Sequence, residues 1–193
     1  MKENYQIFNK EINYIKNPKI KNSLITMLKK LPDYFYEVPA SSTGKYHPNY
    51  ALGNMGLVRH TKAAVRIAHE LLLNESLNNF TNDEKDLIIM ALCLHDGLKS
   101  GLKKSEYTLF EHPILMANYL IENKDDLELT EDEINFVSDA IKTHMGPWTT
   151  NYQGEDVLEP PKSKSQRFVH MCDYLASRKF LEVPFDENNN VLY

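Results

Sequence analysis

Cysteine is scarce in this sequence of 193 residues, which contains only Cys93 and Cys172. Both fall within apolar helical patterns, and their spacing is that of neither a disulfide scaffold nor a zinc ribbon. We therefore expect two reduced cysteines that pack in the interior.

Long hydrophobic runs are also lacking. The longest, LIIMALCL at 87–94, is far shorter than the roughly 20 residues that cross a bilayer. The first residues, MKENYQIFNKEINYIKN, lack the apolar core and the cleavage site of a secretory signal. These absences predict a cytoplasmic protein without a membrane partner.

An excess of positive charge is missing as well. The formal net charge is -5 and the sequence pI is about 5.8. This balance argues against a protein that holds a long polyanion by bulk electrostatics. A small phosphate compound, such as a nucleotide, or a short single-stranded nucleic acid fits the composition better.

The residues that are present indicate an all-α fold, because apolar positions recur mainly at helical spacing. We predict one domain over 1–193 with six to eight helices. It would comprise N-terminal packing helices in 1–32, a core over 38–180 and a tail, 181–193, that could form a small hairpin. Helices are predicted at about 3–16, 18–30, 57–73, 82–95, 113–123, 131–144 and 164–179.

Two of these helix starts carry a capping-box pattern. Thr81 with Glu84, and Thr130 with Glu133, have the spacing at which side chains satisfy free amides at a helix start. Two long irregular stretches, 33–56 and 145–165, separate the helices, and loops of this length inside a compact domain are often functional.

Six ionisable residues lie on the apolar faces of the predicted helices. His60, for example, has apolar residues at +4, +7 and +11, whereas His69 falls on the opposite face of the same helix and is expected at the surface. The six inward residues are His60, His95, Asp96, His112, His144 and Asp173.

These six residues together predict a metal site. A single inward histidine is usually a hydrogen-bonded core residue, and a lone His-Asp pair arises often by chance. Burying six ionisable groups without partners, however, costs kilocalories for each group, and a bound cation satisfies them at once.

The order of the six residues, H...HD...H...H...D, resembles the HD-domain superfamily of metal-dependent phosphohydrolases. The segments GLVRHT, LHDGLK, EHPILMANYL, THMG and MCDYLASR resemble the ligand segments of that family, over about 38–180. The stretch VPASSTGKYHPNYALGNMG further resembles the entry to the HD domain of certain bacterial 3′ to 5′ exoribonucleases. One departure is that the family usually has His-Asp-Ile/Leu-Gly-Lys, whereas Gly97-Leu98 precedes Lys99 here.

The resemblance implies an enzyme with two divalent transition-metal ions bridged by Asp96. His60, His95 and Asp173 would complete one site, and His112 and His144 the other. Iron, manganese, cobalt or zinc suits such nitrogen and oxygen donors. The implied reaction is hydrolysis of a phosphate ester or phosphodiester by a hydroxide that bridges the metals. Lys99 would act beside Asp96 as a catalytic residue that neutralises phosphoryl charge and binds substrate.

Further substrate contacts are expected from Arg178, Trp148 and the loop residues Lys45, Tyr46 and His47. The planar guanidinium of Arg178 suits phosphate, although a surface salt bridge explains it equally well. Trp148 could stack on a base, or it could simply cover the core.

Two other functions remain open. A dinuclear-iron oxygenase of the same superfamily, resembling myo-inositol oxygenase, has the same ligand set, and oxygen consumption by iron-loaded protein would identify it. A regulatory protein that has lost catalysis on this scaffold would bind no transition metal and hydrolyse no phosphate ester.

Overall fold

A computed structural model describes residues 3–41, 44–45, 47–181 and 186–187. Within these residues the chain forms seven α-helices and no strand, which confirms the all-α prediction. The helices are α1 (Asn9–Ile12), α2 (Pro18–Lys30), α3 (Gly56–Leu73), α4 (Asn82–Leu94), α5 (His112–Glu122), α6 (Glu131–Lys142) and α7 (Lys164–Ala176). Short 3-10 helices lie at Asn4–Phe8, Asp33–Tyr36, Asn49–Ala51, Lys124–Asp126 and Lys179–Leu181.

The predicted first helix is the main difference between expectation and structure. Instead of one helix over 3–16, a 3-10 helix is followed by the single turn of α1. The chain leaves the helix because Ile15 is fully buried and the amides of Lys16 and Asn17 donate hydrogen bonds to Asp86 on α4. Most of the tail for which we predicted a hairpin lies outside the described residues.

The two predicted capping boxes are both formed. Thr81 accepts a hydrogen bond from the Glu84 amide, and Glu84 accepts one from the amide of Thr81. The same reciprocal pair forms between Thr130 and Glu133 at the start of α6. A third box, at Ser163, begins α7.

Helix α4 lies at the centre of the bundle. Every residue from Asp86 to Leu94 is buried, as expected for a helix that is apolar on all sides. It contacts α2, α3, α6 and α7, while α3 packs on α7 and α5 packs on α6. The residues directly after α4 are therefore held deep inside the molecule.

The two cysteines and His69 show how the surrounding helices complete the interior. Cys93 and Cys172 are free and buried, as predicted, and burial raises the pKa of both thiols. His69 is half-buried rather than fully at the surface, because Tyr14 of the N-terminal segment stacks on its ring at 3.7 Å. No helix in the described part of the chain is long and apolar enough to span a membrane.

The irregular segment before α3 is tied to the rest of the bundle by tyrosine hydroxyl groups. Tyr34 donates to the carbonyl of Gly101 at 2.7 Å and accepts from the Ser100 amide at 3.0 Å. Tyr50 donates to the carbonyl of Ala176, the last residue of α7, at 2.7 Å. These bonds hold the segment across the helix ends that carry the predicted site.

Candidate metal centre

Five helices bring the six predicted ligands together at the centre of the bundle. The four histidines and Asp96 are each at most 2% exposed, and the Asp173 side chain is 17% exposed. They comprise His60 in α3, His95 and Asp96 directly after α4, His112 at the start of α5, His144 just after α6 and Asp173 in α7.

The Asp96 carboxylate lies between two pairs of imidazoles. Its Oδ2 is 3.8 Å from His60 Nε2 and 3.5 Å from His95 Nε2. Its Oδ1 is 3.0 Å from His112 Nε2 and 3.7 Å from His144 Nε2. Each carboxylate oxygen therefore faces a different pair of ring nitrogens.

Asp173 completes the first of these two groups. Its Oδ1 is 2.9 Å from His60 Nε2 and 3.4 Å from His95 Nε2. Among the described residues, the donor atoms of His60, His95 and Asp173 lie within 4.8 Å of one another, as do those of His95, Asp96 and His144. Both of these three-residue sets have the size of a cation site, and His95 belongs to both.

Backbone carbonyls fix the orientation of three of the four rings. The Nδ1 atoms of His95, His112 and His144 each lie 2.7 Å from the carbonyl oxygen three residues earlier. A carbonyl oxygen can only accept, so each Nδ1 carries the hydrogen, and Nε2 presents a lone pair whenever the ring is neutral. This is the arrangement in which histidine ligands are held for a metal ion.

The resulting lone pairs face one another, which favours a cation between them. His112 Nε2 lies 3.2 Å from His144 Nε2 and 3.0 Å from Asp96 Oδ1, yet in these tautomers neither contact contains a hydrogen. Asp96 Oδ1 and His95 Nε2 are buried and receive no hydrogen bond from the described residues. Because an unsatisfied buried polar atom costs about 1–3 kcal/mol, these donors fit a divalent metal.

The charges of the site also suit metal binding. Burial alone would raise the pKa of Asp96, but Lys99 and His95 hold it well below the usual value. A hydrogen bond from His60 Nε2 at 2.9 Å likewise outweighs burial and lowers the pKa of Asp173. Burial and the neighbouring His95 lower the pKa of His144 to about 3. Ionised carboxylates and a neutral imidazole are the forms that bind metal ions.

Lys99 reaches the same centre despite the altered turn. Its ammonium lies 2.6 Å from Asp96 Oδ2, and its side chain is 14% exposed. Leu98 is buried, and a Cβ added at Gly97 would come within 2.7 Å of Leu31 and 2.9 Å of Met116. The reversed Gly97-Leu98 order thus places leucine in the core and glycine where a side chain would not fit, while Lys99 still faces the site.

Comparison with known proteins agrees with this geometry. Residues 57–178 match the HD domain family. The chain belongs to this family. It is 25% identical to the 3′-5′ exoribonuclease YhaM of Halalkalibacterium halodurans over 174 residues, which cover 85% of this chain and 49% of YhaM. The chain thus spans about half the length of this relative. No solved structure is significantly similar to the present chain.

A cavity of about 620 Å³ opens beside the candidate metal centre of this HD domain. Trp148, Arg178 and His47 line it together with Lys99, so it contains several of the predicted substrate contacts. The His47 ring lies 5.2 Å from that of His60. Burial and the neighbouring His60 and Lys99 lower the pKa of His47 to about 4. Lys45 is exposed, and Tyr46 lies outside the described residues.

Two residues next to the site escaped the sequence analysis. His170 of α7 donates from Nδ1 to the His144 carbonyl at 2.7 Å, and its ring fills the space beside Gly146, where an added Cβ would lie 2.1 Å from His170 Cε1. Tyr174 lines the cavity. The available signal was helical spacing, because His170 lies one turn before Asp173 on the same helix.

Proposed function

We propose that this HD domain hydrolyses a phosphate ester or phosphodiester, with a nucleotide or a short oligonucleotide as the substrate, in a reaction that depends on divalent metal ions. The observation that carries this proposal is the buried Asp96 carboxylate, whose two oxygens face separate pairs of imidazole nitrogens. A carboxylate in this position is suited to bridge two cations.

Each proposed ion has its own set of protein donors. Asp96 Oδ2 would serve the first with His60, His95 and Asp173, and Asp96 Oδ1 would serve the second with His112 and His144. The donors are nitrogen and oxygen without a thiolate, which suits iron, manganese, cobalt or zinc. When bound, a pair of such ions lowers the pKa of a water molecule and stabilises charge on phosphoryl oxygens.

Lys99 and Arg178 supply positive charge on the protein side. The Lys99 ammonium pairs with Asp96, and it becomes available to phosphoryl oxygens once bound cations neutralise that carboxylate. The Arg178 guanidinium lines the same cavity and offers several donors in one plane. Both cations would stabilise the charge that develops as the phosphorus–oxygen bond breaks.

The YhaM relative supports a phosphodiester as the substrate, because its name describes an exoribonuclease. The net charge of -5 favours a small or short substrate over a long nucleic acid, since binding to long polyanions depends mainly on basic surface.

A hydrolysis screen tests the proposal. Nucleotides, cyclic nucleotides and oligonucleotides would be incubated with Mn, Fe, Co or Mg, with wild-type protein beside the Asp96→Ala variant. We expect hydrolysis by the wild type only, together with bound transition metal in protein purified without chelator. Absence of both metal and hydrolysis would overturn the proposal, and oxygen consumption by iron-loaded protein would favour an oxygenase instead.

A further inference from the structure

We infer that Trp148 and Tyr174 form a stacking platform for a nucleobase, so that this domain acts on mononucleotides or single-stranded ends with an unpaired base. This inference rests on the proposed function and specifies the substrate class of the same site. We call the two rings the aromatic shelf.

The aromatic shelf is held in place by packing among aromatic rings. The two rings are nearly parallel, with centroids 5.8 Å apart and an interplanar angle of 15°. The His170 ring supports Trp148 edge-on at 6.0 Å. Despite these contacts, Trp148 remains 46% exposed. A supported yet exposed ring offers an aromatic surface at little entropic cost.

The aromatic shelf lies where a base attached to a reacting phosphate would be. Tyr174 directly follows Asp173 in α7, and Trp148 directly follows the turn at 143–147 that contains His144. Both rings line the cavity that contains Asp96. Its volume of about 620 Å³ is within the range of about 300–1,000 Å³ for small-molecule sites.

Arg178 places a positive charge over the aromatic shelf, nearer to Tyr174 than to Trp148. Its guanidinium carbon lies 4.2 Å from the Tyr174 ring centroid and 5.5 Å from that of Trp148. An aromatic surface next to a guanidinium matches a molecule that is a base at one end and a phosphate at the other. A sugar phosphate or an inorganic phosphate would interact with the Arg178 guanidinium but not with the aromatic rings.

Stacking also determines which nucleic acids can bind. Every base has a π-face, so stacking on aromatic side chains tolerates different sequences. A base inside a duplex has both faces covered by its neighbours. The aromatic shelf therefore requires a base with a free face. An unpaired terminal base has a freer choice of face than a terminal paired base, so the shelf should prefer single-stranded ends to duplex ends.

The fluorescence of Trp148 provides a direct test, because it is the single tryptophan of the chain. Adenosine monophosphate and ribose 5-phosphate would each be mixed with metal-loaded protein, and the emission recorded by stopped flow before turnover. We expect adenosine monophosphate to quench the emission and to bind at least about tenfold more tightly than ribose 5-phosphate. Equal affinities without quenching would overturn the inference.

Variants separate stacking from a structural role. By calorimetry, Trp148→Ala should lose about tenfold in affinity for adenosine monophosphate but keep its affinity for ribose 5-phosphate, whereas Trp148→Phe should retain most of the binding. Tyr107→Ala is the matched control, because Tyr107 is an exposed aromatic residue that does not line the cavity. An equal loss for both ligands in Trp148→Ala would contradict stacking.

Cleavage rates of three substrates distinguish this inference from the proposed function. We expect a single-stranded oligoribonucleotide to be cleaved faster than the same strand in a duplex or with an abasic terminal residue. If all three are cleaved at equal rates, the inference of base stacking is wrong, but the proposed hydrolytic function is supported. If adenosine monophosphate quenches the emission of Trp148 but no ester is hydrolysed with any metal, the proposed hydrolytic function is wrong, but the inference of base stacking is supported.

Discussion

The two ends of helix α4 each hold a buried carboxylate, and their surroundings are opposite. Asp86, near the start, is 5% exposed, and Asp96, just after the end, is 2% exposed. Asp86 Oδ2 accepts backbone hydrogen bonds from Lys16 at 2.8 Å and from Asn17 at 2.7 Å. Asp96 is surrounded by imidazoles, and its Oδ1 accepts no hydrogen bond from the described part of the chain.

The pKa values of the two carboxylates are shifted in opposite directions. Burial raises the pKa of Asp86, and its backbone hydrogen bonds only partly oppose that shift. The ammonium of Lys99 lowers the pKa of Asp96 despite its burial. A buried carboxylate satisfied by backbone amides holds chain segments together, whereas one that faces ring nitrogens without hydrogens is suited to bind cations. Burial alone does not distinguish the two roles.

The largest expected effect is on catalysis, and only the substitution at the Asp96 end of α4 should cause it. Asp96→Ala should lower kcat/KM by about 10³-fold or more, because both proposed ions lose a shared ligand. Asp86→Ala should stay within about threefold of wild type. Steady-state kinetics on the best substrate of the screen measures both, and comparable losses in the two variants would break the comparison.

A second prediction concerns the cation at the metal-centre end. Lys99→Ala should lower kcat about 10²- to 10³-fold, because a positioned charge that stabilises developing phosphoryl charge is lost. Lys103→Ala serves as the control, since Lys103 is an exposed lysine on the same connecting segment. Lys99 would have no catalytic role if the two variants retained the same kcat with full metal content.

The third prediction tests the structural end of α4. Asp86→Ala should lower the free energy of unfolding by about 2–3 kcal/mol, because the amides of Lys16 and Asn17 lose their acceptor. Urea unfolding of metal-free protein would measure this change. Asp83→Ala, which removes only an exposed hydrogen bond to the Asn17 side chain at 3.0 Å, should cost less than about 1 kcal/mol. Metal content should be unchanged in both, and its loss in Asp86→Ala would show that the two ends are coupled.

The smallest effect is expected at His170, which supports the metal centre from outside. His170→Ala should weaken metal binding about tenfold, because the His144 carbonyl loses its donor and the turn at Gly146 loses its packing partner. His170→Asn, whose amide can still donate, should recover part of the affinity. Competition with a chromogenic chelator measures the affinity, and a lower melting temperature of the metal-free protein at wild-type metal affinity would instead indicate a purely structural role.

Local pattern was sufficient for most of the helices. The boundaries at Thr81 and Thr130 were predictable because a capping box involves residues only three positions apart. The prediction of a single helix over 3–16 was wrong, because the backbone amides of Lys16 and Asn17 bond to Asp86. That residue lies 70 and 69 positions further along the chain. A helical period contains no information about such a distant partner.

The sequence by itself determined the helical fold, the membership of the HD family and the six inward-facing residues, because apolar periodicity and motif spacing are local properties. Only the tertiary structure decided the distances at which the Asp96 oxygens face the predicted histidine pairs, that Lys99 reaches Asp96 past the reversed Gly97-Leu98, and that His170 supports the turn of His144. Each of these depends on atoms from separate helices meeting within about 4 Å, and packing rather than residue order sets that distance.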